Sequence, residues 1–177
     1  MNEQKIFLIG FMGSGKTAYG KPLAELLNVD FFDLDSYIEK IHNRSIAKIF
    51  AEDGEEKFRE YERNALREIT FSNNRFVLAT GGGTPCFSNN IEFINANGTS
   101  IYLQCAVEEL CENILLSNPA RPLLQNKCGN ELYEHVKQLL SIRKPIYEQA
   151  KIILTGKNHN PQTIFEIYKS QVELTRH

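Results

Sequence analysis

The 177-residue sequence lacks any C-x-x-C pair among Cys86, Cys105, Cys111 and Cys128, and its four histidines, His42, His135, His159 and His177, are scattered. No zinc-ligand spacing is therefore present, and the cysteines read as reduced thiols of a reducing compartment. Basic residues never run beyond the pair Arg143-Lys144, and 20 Lys and Arg against 22 Asp and Glu leave a formal charge of −2. A nucleic-acid surface needs a basic stripe, so no nucleic-acid partner is expected. No apolar stretch approaches the roughly 20 residues of a membrane span, so no membrane partner is expected and the expected location is cytoplasmic. The short run Ile6–Ile9 behind Lys5 is broken by Gly13-Ser14-Gly15-Lys16 and has no small-residue cleavage site after it, so it reads as a buried strand rather than a signal segment. Repeats, low-complexity tracts and linkers are absent as well. One domain over residues 1–177 is expected, with a monomer as the default, the even charge offering no clue to an assembly interface.

What the chain does contain is an alternation of short apolar runs with longer segments of helical period, the pattern of an α/β protein with a parallel sheet covered by helices. Strands are expected at Lys5–Ile9, Asp30–Leu34, Phe76–Thr80, Thr99–Leu103 and Lys151–Leu154, each rich in Phe, Ile, Val or Leu. Helices are expected at Lys16–Leu27, Ser36–His42, Ile46–Ala51, Glu55–Thr70, Asn90–Ala96, Val107–Leu116, Glu131–Ala150 and Pro161–Leu174. Asn160 suits the cap of the last helix, with Pro161 at its first position, where a missing N–H costs little. Pro22 inside the first helix predicts a kink or a loosened turn. The stretches 81–90 and 117–129 carry Gly, Pro and Asn and read as irregular loops.

Between the first strand and the first helix lies Gly10-Phe11-Met12-Gly13-Ser14-Gly15-Lys16-Thr17, which fits G-x-x-x-x-G-K-S/T at every fixed position. Its glycines let successive backbone N–H groups face inward, and the helix N-terminus adds positive partial charge, so the segment suits a polyphosphate. Gly13, Ser14, Gly15, Lys16, Thr17 and Ala18 are the candidate ATP ligands. Lys16 would reach the β- and γ-phosphates and the Thr17 hydroxyl would serve Mg²⁺.

Two carboxylates, Asp33 and Asp35, close the second expected strand, where i and i+2 share a face and both can turn to the cradle. One could serve Mg²⁺ through water while the other takes an acceptor hydroxyl; an ordinary helix-starting role for Asp35 stands beside that reading. Arg59 and Glu62 share a helix face at i and i+3, which by itself describes a solvated surface pair.

Taken together, Gly10–Thr17, Asp33-Leu34-Asp35, Phe58-Arg59 with Glu62, Gly81-Gly82-Gly83, Arg121-Pro122-Leu123-Leu124 and Arg143 ahead of Tyr147 resemble the shikimate kinase family from about Lys5 to the final helix. The resemblance implies a three-layer α/β/α sandwich of the P-loop kinase type around a five-stranded parallel sheet. It implies a substrate-binding insertion at about 34–62 and a lid at about 113–129. ATP and shikimate would be the partners and Mg²⁺ the cofactor. Asp33 would serve the metal through water, and Asp35 would bind the attacking shikimate hydroxyl. Arg59 and Arg143 would clamp the substrate carboxylate, since guanidinium forks match carboxylates. Glu62 would orient the site from its neighbouring turn, and Gly81, Gly82 and Gly83 would form the backbone wall against the substrate ring. Arg121 would close over ATP from the lid, and Pro161 would flank adenine. Two departures stand out: Ile114-Leu115 occupy the place where the family commonly has a basic residue on adenine, and Thr84-Pro85-Cys86 follows the glycines. A kinase of another anionic polyol such as gluconate, or of a nucleoside monophosphate, shares the cradle. So does a nucleotide-gated binding module that no longer transfers phosphate.

Overall fold

The computed structural model describes residues 4–116, 129–156 and 160–174. Five strands, β1 (Gln4–Ile9), β2 (Asp30–Asp33), β3 (Arg75–Ala79), β4 (Thr99–Gln104) and β5 (Ile152–Thr155), form one sheet in the order β2-β3-β1-β4-β5, with every pairing parallel. The helices are α1 (Lys16–Leu27), α2 (Leu34–His42), α3 (Ile46–Ser72), α4 (Asn90–Asn97), α5 (Val107–Leu116), α6 (Gly129–Tyr147) and α7 (Pro161–Leu174). Both faces of the sheet are covered, as the apolar strands require. Ile6, Leu8, Val77, Ile101 and Leu103 face α1 and α7, while Phe7, Ile9, Phe76, Leu78 and Tyr102 face α2 to α6. Alternate residues of each strand thus serve two cores, and the α/β/α sandwich expected from the sequence is the observed architecture.

Order within the sheet decides what stands next to what. The chain leaves β1 for β2 on one side, returns through β3 and crosses to β4 on the other, so the sheet switches direction around β1. Ligands of open α/β sheets bind at the carboxyl ends of strands at such a point. Here the neighbours β2, β3 and β1 end in Asp33, in Gly81–Gly83 and in the glycine-rich loop respectively, so three segments far apart in sequence emerge side by side. Edge-to-face rings tie those strands together: Phe32 to Phe76 at 6.0 Å and Phe76 to Phe7 at 5.4 Å. The fully buried rings of Phe7 and Phe76 each contribute roughly 1.5–3 kcal/mol.

Three local expectations need correction. Leu34 begins α2 instead of ending β2, because the Asp33 carboxylate accepts the Ser36 N–H at 3.1 Å and caps the helix there. Asp35 therefore sits in the first helical turn, and the strand argument for its direction does not apply. Helix α1 runs through Pro22 as one helix; the carbonyl freed by the proline belongs to exposed Ala18, which water can serve. Helix α6 stops at Tyr147; the Glu148 N–H still reaches Lys144 O at 2.9 Å, and the chain then tightens into turns, Gln149 N to Ile146 O and Ala150 N to Tyr147 O. The expected gap between helices at residues 51 and 55 is present as a break within α3 at Gly54, with φ 81° and ψ 173°. Asn160 caps α7 as expected, its side chain accepting the Thr163 N–H at 2.8 Å. No described helix is long and apolar enough to cross a membrane.

Gly54 holds a conformation nearly closed to other residues, so Gly54→Ala is expected to destabilise the fold by about 1–3 kcal/mol. The check is a urea titration showing a lower midpoint at unchanged slope; a raised midpoint, as helix propensity alone would give, contradicts this.

Candidate active site

The glycine-rich loop folds as its sequence implies. Gly13 and Gly15 take φ of 82° and 85°, the left-handed region, and this turns the loop into the start of α1. Lys16 is buried, and its Nζ donates to the carbonyls of Gly10 at 2.9 Å and Phe11 at 2.8 Å, so the ammonium lies within the curl of the loop. Ser14 is buried beside it, while Thr17 and Ala18 are exposed at the mouth. The Thr17 hydroxyl donates to Asp33 Oδ2 at 2.6 Å. That contact joins the first turn of α1 to the end of β2 and sets a hydroxyl and a carboxylate together, the hard oxygen donors that a magnesium ion accepts. A cavity of about 400 Å³ opens here, lined among others by Gly15, Lys16, Thr17, Asp33 and Asn113.

Next to it lies a second cavity of about 240 Å³, walled by Arg59, Glu62, Gly81, Gly82, Gly83 and Arg143, among others. The two cavities share Met12, Asp35 and Gly82. Asp35 thus stands at their junction, where a group bound in one cavity meets a group bound in the other. Arg59 is only 8% exposed and is not the solvated surface pair that its spacing alone describes. Its Nη1 donates to Glu62 Oε2 at 2.6 Å and its Nη2 to Glu55 Oε1 at 2.8 Å, while Phe87 stacks on the guanidinium at 4.1 Å. A Cβ on Gly83 would lie 2.6 Å from Arg59 Nη1, so the absent side chain leaves room for the guanidinium. Arg143, 5% exposed, enters from α6, and its buried Nη1 has no hydrogen-bond partner among the described residues. An unpaired buried guanidinium N–H is costly and points to a ligand acceptor.

The electrostatics follow from that enclosure. Burial pushes the Glu62 carboxyl above the usual range, and the charges of Arg59 and Arg143 and the Thr84 hydrogen bond pull only partly against it. Burial is the largest single influence on Arg59 and works to lower it, but the charge of Glu62 and the hydrogen bonds to Glu62 and Glu55 together outweigh it, and the guanidinium is held firmly protonated. The Cys86 thiol is pushed up to about 11 by burial, against the pull of Arg143 and Arg59, so it is no thiolate nucleophile.

The structure therefore brings Gly13, Gly15, Lys16, Thr17, Ala18, Asp33, Asp35, Arg59, Glu62, Gly81, Gly82, Gly83 and Arg143 to two adjoining cavities. Pro161 heads α7 and lines neither of them among the described residues. Arg121, with 117–128 of the expected lid, lies outside the described residues. Ile114 belongs to the hydrophobic core. Two further residues support the site: Asn113, whose amide donates to Gly13 O at 2.8 Å, and Tyr147, whose hydroxyl donates to Gly82 O at 2.5 Å. Their partners lie 100 and 65 positions away, so only the place of Tyr147 one turn beyond Arg143 offered any signal.

Comparison with known proteins gives a consistent result. A family model described as shikimate kinase matches residues 12–173. The chain is 46% identical over 149 residues, 84% of its length, to the shikimate kinase of Parabacteroides distasonis, covering 86% of that protein. A crystal structure of shikimate kinase from Bacteroides thetaiotaomicron superposes with a TM-score of 0.87 at 38% identity, with 96% of this chain and 98% of that one covered. A shikimate kinase from Acinetobacter baumannii, solved in complex with shikimate, gives 0.86 at 34% identity, with 98% and 94% covered.

Glu62 is expected to titrate above the ordinary glutamate value of about 4.3, read by side-chain carboxyl NMR. Arg59→Met should move that midpoint higher still, because the guanidinium charge lowers it; a midpoint below the ordinary value, or a downward move in the variant, contradicts the assignment.

Proposed function

The chain belongs to the shikimate kinase family, and from that premise we propose how its residues divide the work. It is an ATP-using kinase that transfers the γ-phosphoryl group to a hydroxyl of shikimate, giving shikimate 3-phosphate and ADP. The observation that carries the division of roles is the position of Asp35 where the phosphate cradle meets the two-arginine cavity. ATP would occupy the first cavity and shikimate the second.

Arg143 Nη1 and the N–H groups that Arg59 does not spend on Glu62 and Glu55 would take the shikimate carboxylate in bidentate fashion. Exposed Glu55 can yield its place on Arg59, whereas buried Glu62 stays. With the acid end fixed and the ring against Gly81–Gly83, the attacking hydroxyl falls to Asp35, which would orient it and accept its proton. Lys16 would exchange the loop carbonyls for phosphate oxygens, a replacement of neutral acceptors by anionic ones. The Thr17 hydroxyl and Asp33 fit a magnesium ion, which would rest mainly on phosphate and water oxygens, since no cluster of three His, Cys, Asp or Glu side chains exists among the described residues. When bound, that ion neutralises charge on the transferring group. Arg121 would add a second cation from the lid and Pro161 would flank adenine, both by the family resemblance. Most of the rate enhancement would then come from positioning and charge neutralisation rather than covalent chemistry. We place the enzyme in the cytoplasm as a monomer.

A coupled assay of ADP release tests this reading. Release should require both Mg²⁺ and shikimate, and gluconate or a nucleoside monophosphate should not replace shikimate. Lys16→Ala and Asp35→Ala are expected to lower kcat by about 10²–10⁴-fold. Arg59→Ala and Arg143→Ala are expected chiefly to raise the shikimate KM, by about 10–100-fold. Full activity of Asp35→Ala would remove it from the reaction, and ATP binding without shikimate-dependent release would mean a binding module instead.

A further inference from the structure

Directly after the glycine triplet, Thr84 opens a short 3-10 turn, Thr84–Cys86, and its side chain is 0% exposed. The Thr84 hydroxyl donates to Glu62 Oε1 at 2.5 Å, while Glu62 Oε2 accepts from Arg59 Nη1 at 2.6 Å. Each oxygen of this buried carboxylate therefore has its own donor, one from the glycine turn and one from the guanidinium. Thr84 is itself held on two further sides. Its N–H donates to Gly81 O at 3.2 Å, and its carbonyl accepts from Asn90 Nδ2 at 2.9 Å. Asn90 in turn accepts from Arg67 Nη1 at 3.2 Å, which anchors the turn to α3 from the other side. A Cβ placed on Gly81 would lie 2.7 Å from Glu62 Oε1, 2.8 Å from Thr84 Oγ1 and 2.9 Å from Asp35 Oδ1, so three polar groups from three elements converge on one point of the cavity wall.

We propose that Thr84 is a positioning residue for the substrate carboxylate site, fixing the rotation of Glu62 so that Arg59 presents its remaining N–H groups to the substrate; this rests on the shikimate kinase reading of the cavity. A carboxylate held at one oxygen can turn about its terminal bond, and a guanidinium hinged on it turns as well. A hydroxyl donating to the second oxygen removes that freedom with a short, charge-assisted bond. A buried carboxylate oxygen left without a donor is also unfavourable, so loss of the hydroxyl drives Glu62 to seek other donors, and Arg143 and the rest of the Arg59 fork face it. Either movement withdraws N–H groups from the substrate. The ATP cavity, whose lining does not include Thr84, is untouched by this change.

Steady-state kinetics of Thr84→Val, which keeps the shape and removes the hydroxyl, and of Thr84→Ser, which keeps the hydroxyl, test the inference. Thr84→Val should raise the shikimate KM about tenfold or more while kcat and the ATP KM stay within about twofold. Thr84→Ser should remain within about threefold of the wild type on the shikimate KM. An unchanged shikimate KM in Thr84→Val, a matching loss in the ATP KM, or a Ser variant as impaired as the Val variant would each overturn the proposal, the last by assigning the effect to packing of the methyl group. If the Val variant does not fold, Thr84→Ala against Thr84→Ser isolates the hydroxyl with the same expected split. A wild-type enzyme without shikimate-dependent ADP release removes the functional reading and this inference with it, whereas an active wild type with an unaffected Val variant removes this inference alone.

Discussion

Two guanidinium groups buried around one buried carboxylate are the constraint to which the rest of the site answers. Arg59 and Arg143 both act on buried Glu62, the other carboxylate on Arg59 is the exposed Glu55, and Arg143 Nη1 has no acceptor of its own among the described residues. An enclosed arrangement of that kind favours an anion that completes it, so the cavity suits a ligand carrying a fixed negative charge. Because a planar carboxylate matches a guanidinium fork in geometry as well as charge, binding there also sets direction. On the proposed reading, everything beyond the carboxylate, including the hydroxyl that reacts, would inherit its place from this anchor.

The sheet supplies the second half of the arrangement. Parallel strands in the order β2-β3-β1 deliver the Asp33–Asp35 segment, the glycine triplet and the phosphate cradle to one edge. The rings of Phe32, Phe76 and Phe7 bind those strands to one another, so the spacing between the two cavities rests on packed core and not on loops. Helix α6 then brings Arg143 across, and Tyr147 one turn further on fastens the same helix to the Gly82 carbonyl. A kinase that works by positioning needs such rigidity, since small displacements of the acceptor forfeit much of the proximity effect.

Much of this was legible in the sequence where the signal is local. The cradle is a contiguous run with glycines at fixed offsets, the five strands are short apolar blocks, and the break in α3 is written as a single Gly54. What failed, failed where a distant partner decides. The strand β2 ends one residue before the sequence pattern implies because Asp33 caps α2, a choice between strand and helix that the pattern Phe-Phe-Asp-Leu-Asp does not settle. Arg59 with Glu62 reads from spacing as surface decoration, and only the family resemblance pointed inward; its burial depends on Phe87 and on the glycine turn. Thr84 meets Glu62 across 22 positions and Asn113 meets Gly13 across 100, contacts that no local period encodes.

The most direct measurement of the central claim is a crystal structure of the enzyme with shikimate and a non-hydrolysable ATP analogue. The ring acid is expected to lie in the smaller cavity, its carboxylate accepting from both Arg143 and Arg59 and one hydroxyl within hydrogen-bond reach of Asp35. Density for the acid outside that cavity, with Arg143 Nη1 still lacking an acceptor, would contradict it.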